Sequence, residues 1–196
     1  GVHTCALPIW SSSSLPLIRA VSVGYIELVR GMPLYVLLLV GAAALNFFFP
    51  PGVRPPEQVA RAIVVFTVFT AAYIAEIIRG GLQSLPKGQT EAAQALGLSP
   101  TKTTALIIMP QALRNVIPGI VGQFISLFKD TTLAATAMGF LDLMALRNPV
   151  QQQPAFRGGN YNALTLAFIA FVFWVFCITM SRESQRLEKK LGVGTR

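Results

Sequence analysis

Apolar and polar positions in this chain segregate into blocks rather than alternating. Four apolar blocks approach the roughly 20 residues (range about 17–25) that a helix needs to cross a bilayer. They lie at about residues 32–49, 62–78, 116–141 and 161–180, and Lys129-Asp130 interrupts the third. No alternation with the period of two expected of barrel strands is present, and backbone groups in lipid must be paired internally, so the blocks predict helices. Each block taken alone also fits a core helix of a soluble protein. Four of them within 196 residues favour membrane spans. Between the second and third blocks runs EAAQALGLSPTKTTALIIMP, residues 91–110, which begins too polar to span a bilayer and predicts a helical module held outside it.

Composition strengthens this picture. The chain is 53% hydrophobic and 12% charged, against about 25% charged in ordinary soluble domains. Its net charge of +8 raises the possibility of nucleic acid as a partner. That reading requires a basic face, whereas these basic residues are scattered between apolar runs, so no nucleic acid is expected. Their distribution instead orients the spans by the excess of Lys and Arg in cytoplasmic loops. Arg19 and Arg30 precede the first block, Arg79, Lys87, Lys102 and Arg114 fall between the second and third, and a cluster from Arg182 to Arg196 follows the fourth. By alternation these regions share one side, the cytoplasmic one. The opposite loops hold only Arg54, Arg147 and Arg157, with Arg61 at the edge of a block. Cys5 and Cys177 are far apart and His3 is the single histidine, so no disulfide framework, metal site or histidine-based triad is expected.

Local signals shape the polar module. Ser84, two residues before Pro86, predicts a helix N-cap. Glu91, Ala92, Ala93, Ala95 and Leu96 favour helix, and Gly97 supplies the left-handed residue that ends one. Ser99-Pro100 predicts a second cap with proline at the first helical position, and Pro110 is expected to interrupt the second helix. The small alanines would let another protein approach the backbone closely. An ordinary helical hairpin packed on its own spans fits the spacing equally well.

In the third block, Asp130 is costly, about 2.5–3.5 kcal/mol for a mid-bilayer carboxylate on insertion scales. Gln123 and Asp130 are seven residues apart and share a helix face with Ser126. They predict a polar stripe lining a translocation path, with Thr131 beside it. Two other readings stand: a Lys129–Asp130 charge pair, or Asp130 capping a helix break. Pro118-Gly119 is expected to bend this helix. Glu76, three residues before Arg79, predicts an intrahelical pair.

The sequence E-A-A, three residues, G, nine residues, I-x-M-P resembles the EAA loop of permease subunits in ABC importers, with Met109 in place of the usual leucine. Arg30-Gly31-Met32-Pro33-Leu34, the segment from Ala75 to Gln89, Pro110-Gln111-Ala112-Leu113-Arg114 and Lys129-Asp130-Thr131-Thr132-Leu133-Ala134 resemble blocks of the polar amino-acid permeases of the histidine/glutamine type. The tail looks closest to their broad-specificity L-amino-acid branch. The resemblance implies an all-α integral membrane protein: a bundle of about four transmembrane helices with a cytoplasmic coupling-helix loop at residues 84–110, of the type I ABC importer, MetI-like class. It implies a permease domain over residues 15–191, a tail at 192–196, and a multi-pass location in the bacterial cytoplasmic (inner) membrane.

The same resemblance implies that Glu91, Ala92, Ala93, Gly97 and Leu98 meet an ABC ATPase subunit. Other implied partners are a second permease copy or paralogue, a periplasmic amino-acid-binding protein and membrane lipid. The chain has no phosphate-binding G-x-x-x-x-G-K-[ST] loop. It is expected to bind no cofactor and no metal and to catalyse nothing, with ATP and Mg held by the ATPase. Alternatives are a permease of the same superfamily for another solute, a purely structural membrane subunit, or a membrane-embedded enzyme using Asp130, Glu76 or Ser126. The family pattern also implies a span before residue 15. GVHTCALPIWSSSS, residues 1–14, fits neither that span nor a signal peptide, which leads to the expectation of a fragment with an artefactual start.

Overall fold

A computed structural model of the chain describes residues 16–50, 52–156, 159, 161–190 and 192. Residues 1–14, with His3 and Cys5, lie outside the described residues, as do Arg157 and Arg196. Among the described residues every regular element is helical. Helix α1 is Pro16–Gly31 and α2 is Leu34–Ala44, which continues into a 3₁₀ turn, Leu45–Phe48. Helix α3 is Gln58–Gln83 and α4 is Lys87–Ala95. The short α5, Pro100–Thr103, passes through a π segment, Thr104–Ile108, into α6, Met109–Met138. Helix α7, Arg147–Gln152, and a 3₁₀ turn, Pro154–Phe156, precede α8, Tyr161–Lys190.

Among the described residues, three helical stretches are long and apolar enough to cross a membrane: Gln58–Gln83, Pro100–Met138 and Tyr161–Lys190. The count becomes four if α1 and α2 together form one span. The first apolar block is therefore not the single uninterrupted helix that its hydropathy predicts. Its α-helix has 11 residues, about 16 Å at 1.5 Å per residue, short of the ~30 Å hydrocarbon core. Pro33 sets its start: lacking an N–H, it stands before the first turn while its carbonyl accepts from Val36 and Leu37 at 3.0 and 3.2 Å. The preceding Pro16–Gly31 is helical in its own right and buries Ser22, Ile26 and Val29 along one stripe.

The chain divides into two compact units. The first comprises the described part of Gly1–Arg30 with Thr70–Phe124 and Ser181–Arg196, and the second Gly31–Phe69 with Ile125–Met180. In the first unit, the end of α3 packs on the start of α6 through small residues. Ala72, Ala75, Ala112 and Val116 are buried. A Cβ on Gly81 would overlap the Cγ2 of Val116, and one on Gly119 would lie 2.8 Å from Ile77. Such close approach of helix backbones is the packing mode available where lipid offers no hydrophobic drive between helices.

In the second unit, Leu38, Ala62, Phe69, Ala134, Ala135, Met138 and Ile169 are buried. Phe128 lies against Phe173 and Phe176, with centroids 5.2 and 5.7 Å apart. Arg61, read from the sequence as lying at the edge of a block, is buried here. Its Nε donates to the Pro56 carbonyl and its Nη1 to the Ala42 carbonyl, both at 2.8 Å. The charge thus satisfies a carbonyl at the end of α2, where the helix leaves acceptors unpaired. Arg61→Ala is expected to destabilise the chain by about 1.5–3 kcal/mol, the usual worth of a hydrogen bond to a charged group. A lowered unfolding midpoint in detergent checks this.

Candidate functional site

The polar module grows out of α3 through a hydroxyl hub. Ser84 does not cap α4, as its position before Pro86 predicted. Its Oγ donates to the Gly81 carbonyl at 2.8 Å and accepts from Asn115 Nδ2 at 2.9 Å. Pro86, in extended conformation, takes the N-cap position without a side-chain cap bond, and α4 begins at Lys87. The hydroxyl is therefore committed to a partner 31 residues away, which no local spacing reveals.

Helix α4 ends in a Schellman arrangement. The Leu98 N–H bonds the Ala93 carbonyl at 3.1 Å and the Gly97 N–H bonds the Gln94 carbonyl at 2.9 Å. Gly97 has φ +75°, the left-handed conformation that such a cap requires. Ser99 then caps α5, its side chain accepting from the Lys102 N–H at 3.5 Å, with Pro100 in the first turn. Pro110 does not interrupt the helical path after α5. A π segment at Thr104–Ile108 precedes it and α6 runs on to Met138. Pro110 cannot donate to the carbonyl four residues back, and the wider turn accommodates that missing bond. Gln111 Nε2 donates to the Ile107 carbonyl at 3.0 Å and to Gln89 Oε1 at 3.5 Å. With the Asn115–Ser84 bond, these contacts tie the module to the first turns of α6.

The five residues expected to meet a partner do not all face outward. Glu91, Ala92 and Gly97 are exposed, Leu98 is half-buried and Ala93 is 1% exposed. Ala93 thus anchors the module on its own unit. Leu96 is not among those five, yet it stands out at 81% exposed. Its signal in the sequence is that of a large apolar residue directly before a capping glycine.

On α6, Gln123 lies in the first unit and Ser126, Asp130 and Thr131 in the second, all half-buried. Thr131 Oγ1 donates to the Phe128 carbonyl at 2.7 Å. Asp130 has no hydrogen bond or ion pair among the described residues. Lys129 is exposed and forms no ion pair with it. Helix α6 is continuous through this region, with Pro118 inside it, so Asp130 caps no break.

Glu76 forms the expected pair with Arg79, through a 2.9 Å bond from Nε to Oε2 and a second bond from Nη2 to Oε1. It also meets Arg30 Nη1 at 3.5 Å, a contact across helices that the sequence spacing did not indicate.

Among the described residues, then, a polar module is tied onto apolar helices. Residues 6–193 match the family described as binding-protein-dependent transport system inner membrane component, and the chain belongs to that family. It is 46% identical over 185 residues to the glutamate/glutamine/aspartate/asparagine transport system permease protein BztC of Rhodobacter capsulatus, covering 94% of this chain and 42% of that protein. It is 43% identical over 182 residues to the inner membrane amino-acid ABC transporter permease protein YhdY of Escherichia coli, covering 93% of this chain and 48% of that one. The chain thus spans just under half the length of these two relatives. A solved structure described as an amino acid ABC transporter with histidines superposes with a TM-score of 0.84 at 29% identity, covering 96% of this chain and 84% of that one.

Proposed function

We propose that the chain is the non-catalytic, membrane-spanning permease of an ATP-binding-cassette importer for polar or general L-amino acids, in the bacterial inner membrane. The observation that carries this reading is its identity of 46% and 43%, over more than nine-tenths of its length, to proteins named as amino-acid transport permeases. ATP and Mg²⁺ bind to separate ATPase subunits. A second permease copy or paralogue completes the pathway, and a periplasmic binding protein delivers the amino acid.

The docking surface for the ATPase is the exposed part of the module, Glu91, Ala92, Leu96 and Gly97, with Leu98 at its edge. Nucleotide-driven movement of the ATPase carries this module as a body. The Ser84–Asn115 and Gln89–Gln111 contacts pass that movement to α6. Two packings of the helices then exchange, biased by nucleotide and by amino acid. Asp130 attracts the ammonium group of the cargo, Gln123 offers amide hydrogen bonds, and Ser126 and Thr131 line the same path.

Co-expression with an ATPase and an amino-acid-binding protein tests this reading through ATP-dependent uptake of labelled L-glutamine. Asp130→Ala is expected to reduce uptake by about tenfold or more, the equivalent of one lost charge-assisted contact, and Gln123→Ala by less. Unchanged uptake together with unchanged substrate preference would remove both residues from the path.

A further inference from the structure

Resting on the amino-acid transport reading, we propose that a second cleft, between α1 and the last turns of α3, binds a free α-amino acid as its zwitterion. The cleft has a volume of about 480 Å³ and lies wholly within the first unit. Its charged and polar lining is Arg19, Glu27 and Arg30 from α1 and Glu76, Arg79 and Gln83 from α3. Val23 and Ile26 supply an apolar wall.

Most of these charges already satisfy one another. Arg79 holds Glu76 with two hydrogen bonds and donates to Gln83 Oε1 at 2.8 Å. Arg30 completes the cluster at 3.5 Å from Glu76, and its guanidinium lies 5.5 Å from the ring centroid of Tyr73. Arg19 and Glu27 remain. Neither has an ion pair or hydrogen bond among the described residues, and they are opposite in sign. Eight residues of helix separate them, a rise of about 12 Å, and no direct pair forms. Both nevertheless line one small cleft.

A simple anion would satisfy Arg19 and leave Glu27 facing it with like charge, and a simple cation would do the reverse. A molecule carrying both a carboxylate and an ammonium meets both signs of charge in this lining. Its side chain would rest against Val23 and Ile26. The basic residues around this cleft place it on the side assigned to the cytoplasm. Gln83 immediately precedes Ser84, the residue bonded to Asn115 at the root of the coupling module.

Equilibrium binding of radiolabelled L-glutamine to the full chain, in nanodiscs of phosphatidylcholine and phosphatidylglycerol, tests the proposal. Saturable binding is expected. N-acetyl-L-glutamine, which lacks the ammonium, and L-glutamine α-amide, which lacks the carboxylate, should each compete about tenfold more weakly or worse, as expected for loss of a charged hydrogen bond. Arg19→Gln and Glu27→Gln, at exposed positions where folding is little at risk, should weaken binding similarly.

Absence of saturable binding, or binding indifferent to Arg19→Gln and Glu27→Gln, overturns the proposal. Phosphatidylethanolamine has a headgroup with the same pairing of charges. Displacement of glutamine in nanodiscs containing it would assign the cleft to lipid and also overturn the proposal. Uptake measured in parallel separates the two readings. Normal uptake without Arg19- and Glu27-dependent binding sinks the cleft alone. Such binding without ATP-dependent uptake sinks the transport reading alone.

Discussion

On the proposed function, Gly97→Val is expected to weaken docking of an ATPase subunit while leaving the chain folded in the membrane. Gly97 sits at φ +75°, where a Cβ crowds the neighbouring carbonyl at about 1–2 kcal/mol, and a β-branched side chain fares worse than alanine. Nothing lies within 4 Å of the added Cβ, so the penalty is conformational and not a clash with neighbours. The module can relieve it by giving up the bonds from Gly97 to Gln94 and from Leu98 to Ala93. That would unwind the end of α4 and displace the exposed Glu91–Ala92 and Leu96 surface. Co-purification of the ATPase should fall by about tenfold or more, since 1.4 kcal/mol is a factor of ten in an equilibrium constant. Thermal unfolding of the detergent-solubilised chain should change little. Retained ATPase binding with intact uptake would show that the cap geometry is not needed for docking.

Gly81→Ala is expected to destabilise the chain by about 1–3 kcal/mol, the usual cost of overfilling a packed site. The neighbouring Gly80→Ala should be neutral or stabilising by up to about 1 kcal/mol, because alanine is the better helix former. The two glycines adjoin on one helix and differ in surroundings. A Cβ at Gly80 meets nothing within 4 Å, whereas one at Gly81 overlaps the Val116 side chain. Val116→Ala removes the overlapping methyl groups, so Gly81→Ala with Val116→Ala should recover stability relative to the additive expectation. A double-mutant cycle on unfolding midpoints measures that coupling. Equal effects at Gly80 and Gly81, or strict additivity with Val116→Ala, would contradict close packing of α3 on α6.

Both substitutions concern positions whose importance was unequally visible in the sequence. Gly97 was legible, because a helix that ends in the left-handed conformation carries its signal within a few residues: helix formers, then glycine, then a new cap at Ser99. The Ser99 cap was legible for the same reason, since its side chain bonds a backbone N–H three residues on. Gly81 was indistinguishable from Gly80 until Val116, 35 positions later, was seen to fill the space in front of it. Ser84 looked like a cap because the serine–proline spacing is locally plausible, but Asn115 claims its hydroxyl. Arg61 looked like a charge at the edge of a span until two backbone carbonyls converged on it.

By itself the sequence determined the helical, membrane-spanning character, the polar module at residues 91–110 and the family to which both belong. Each follows from quantities local to the chain: the transfer cost of successive side chains, capping preferences within a turn, and motif register. Tertiary structure decided which residues of that module face outward, placing Leu96 in the open and Ala93 inside. It also broke the first apolar block into a short helix after Pro33, and it left Arg19 and Glu27 without ion pairs among the described residues. Those outcomes depend on contacts between segments far apart in the chain, and hydropathy and spacing register only what happens within a few turns.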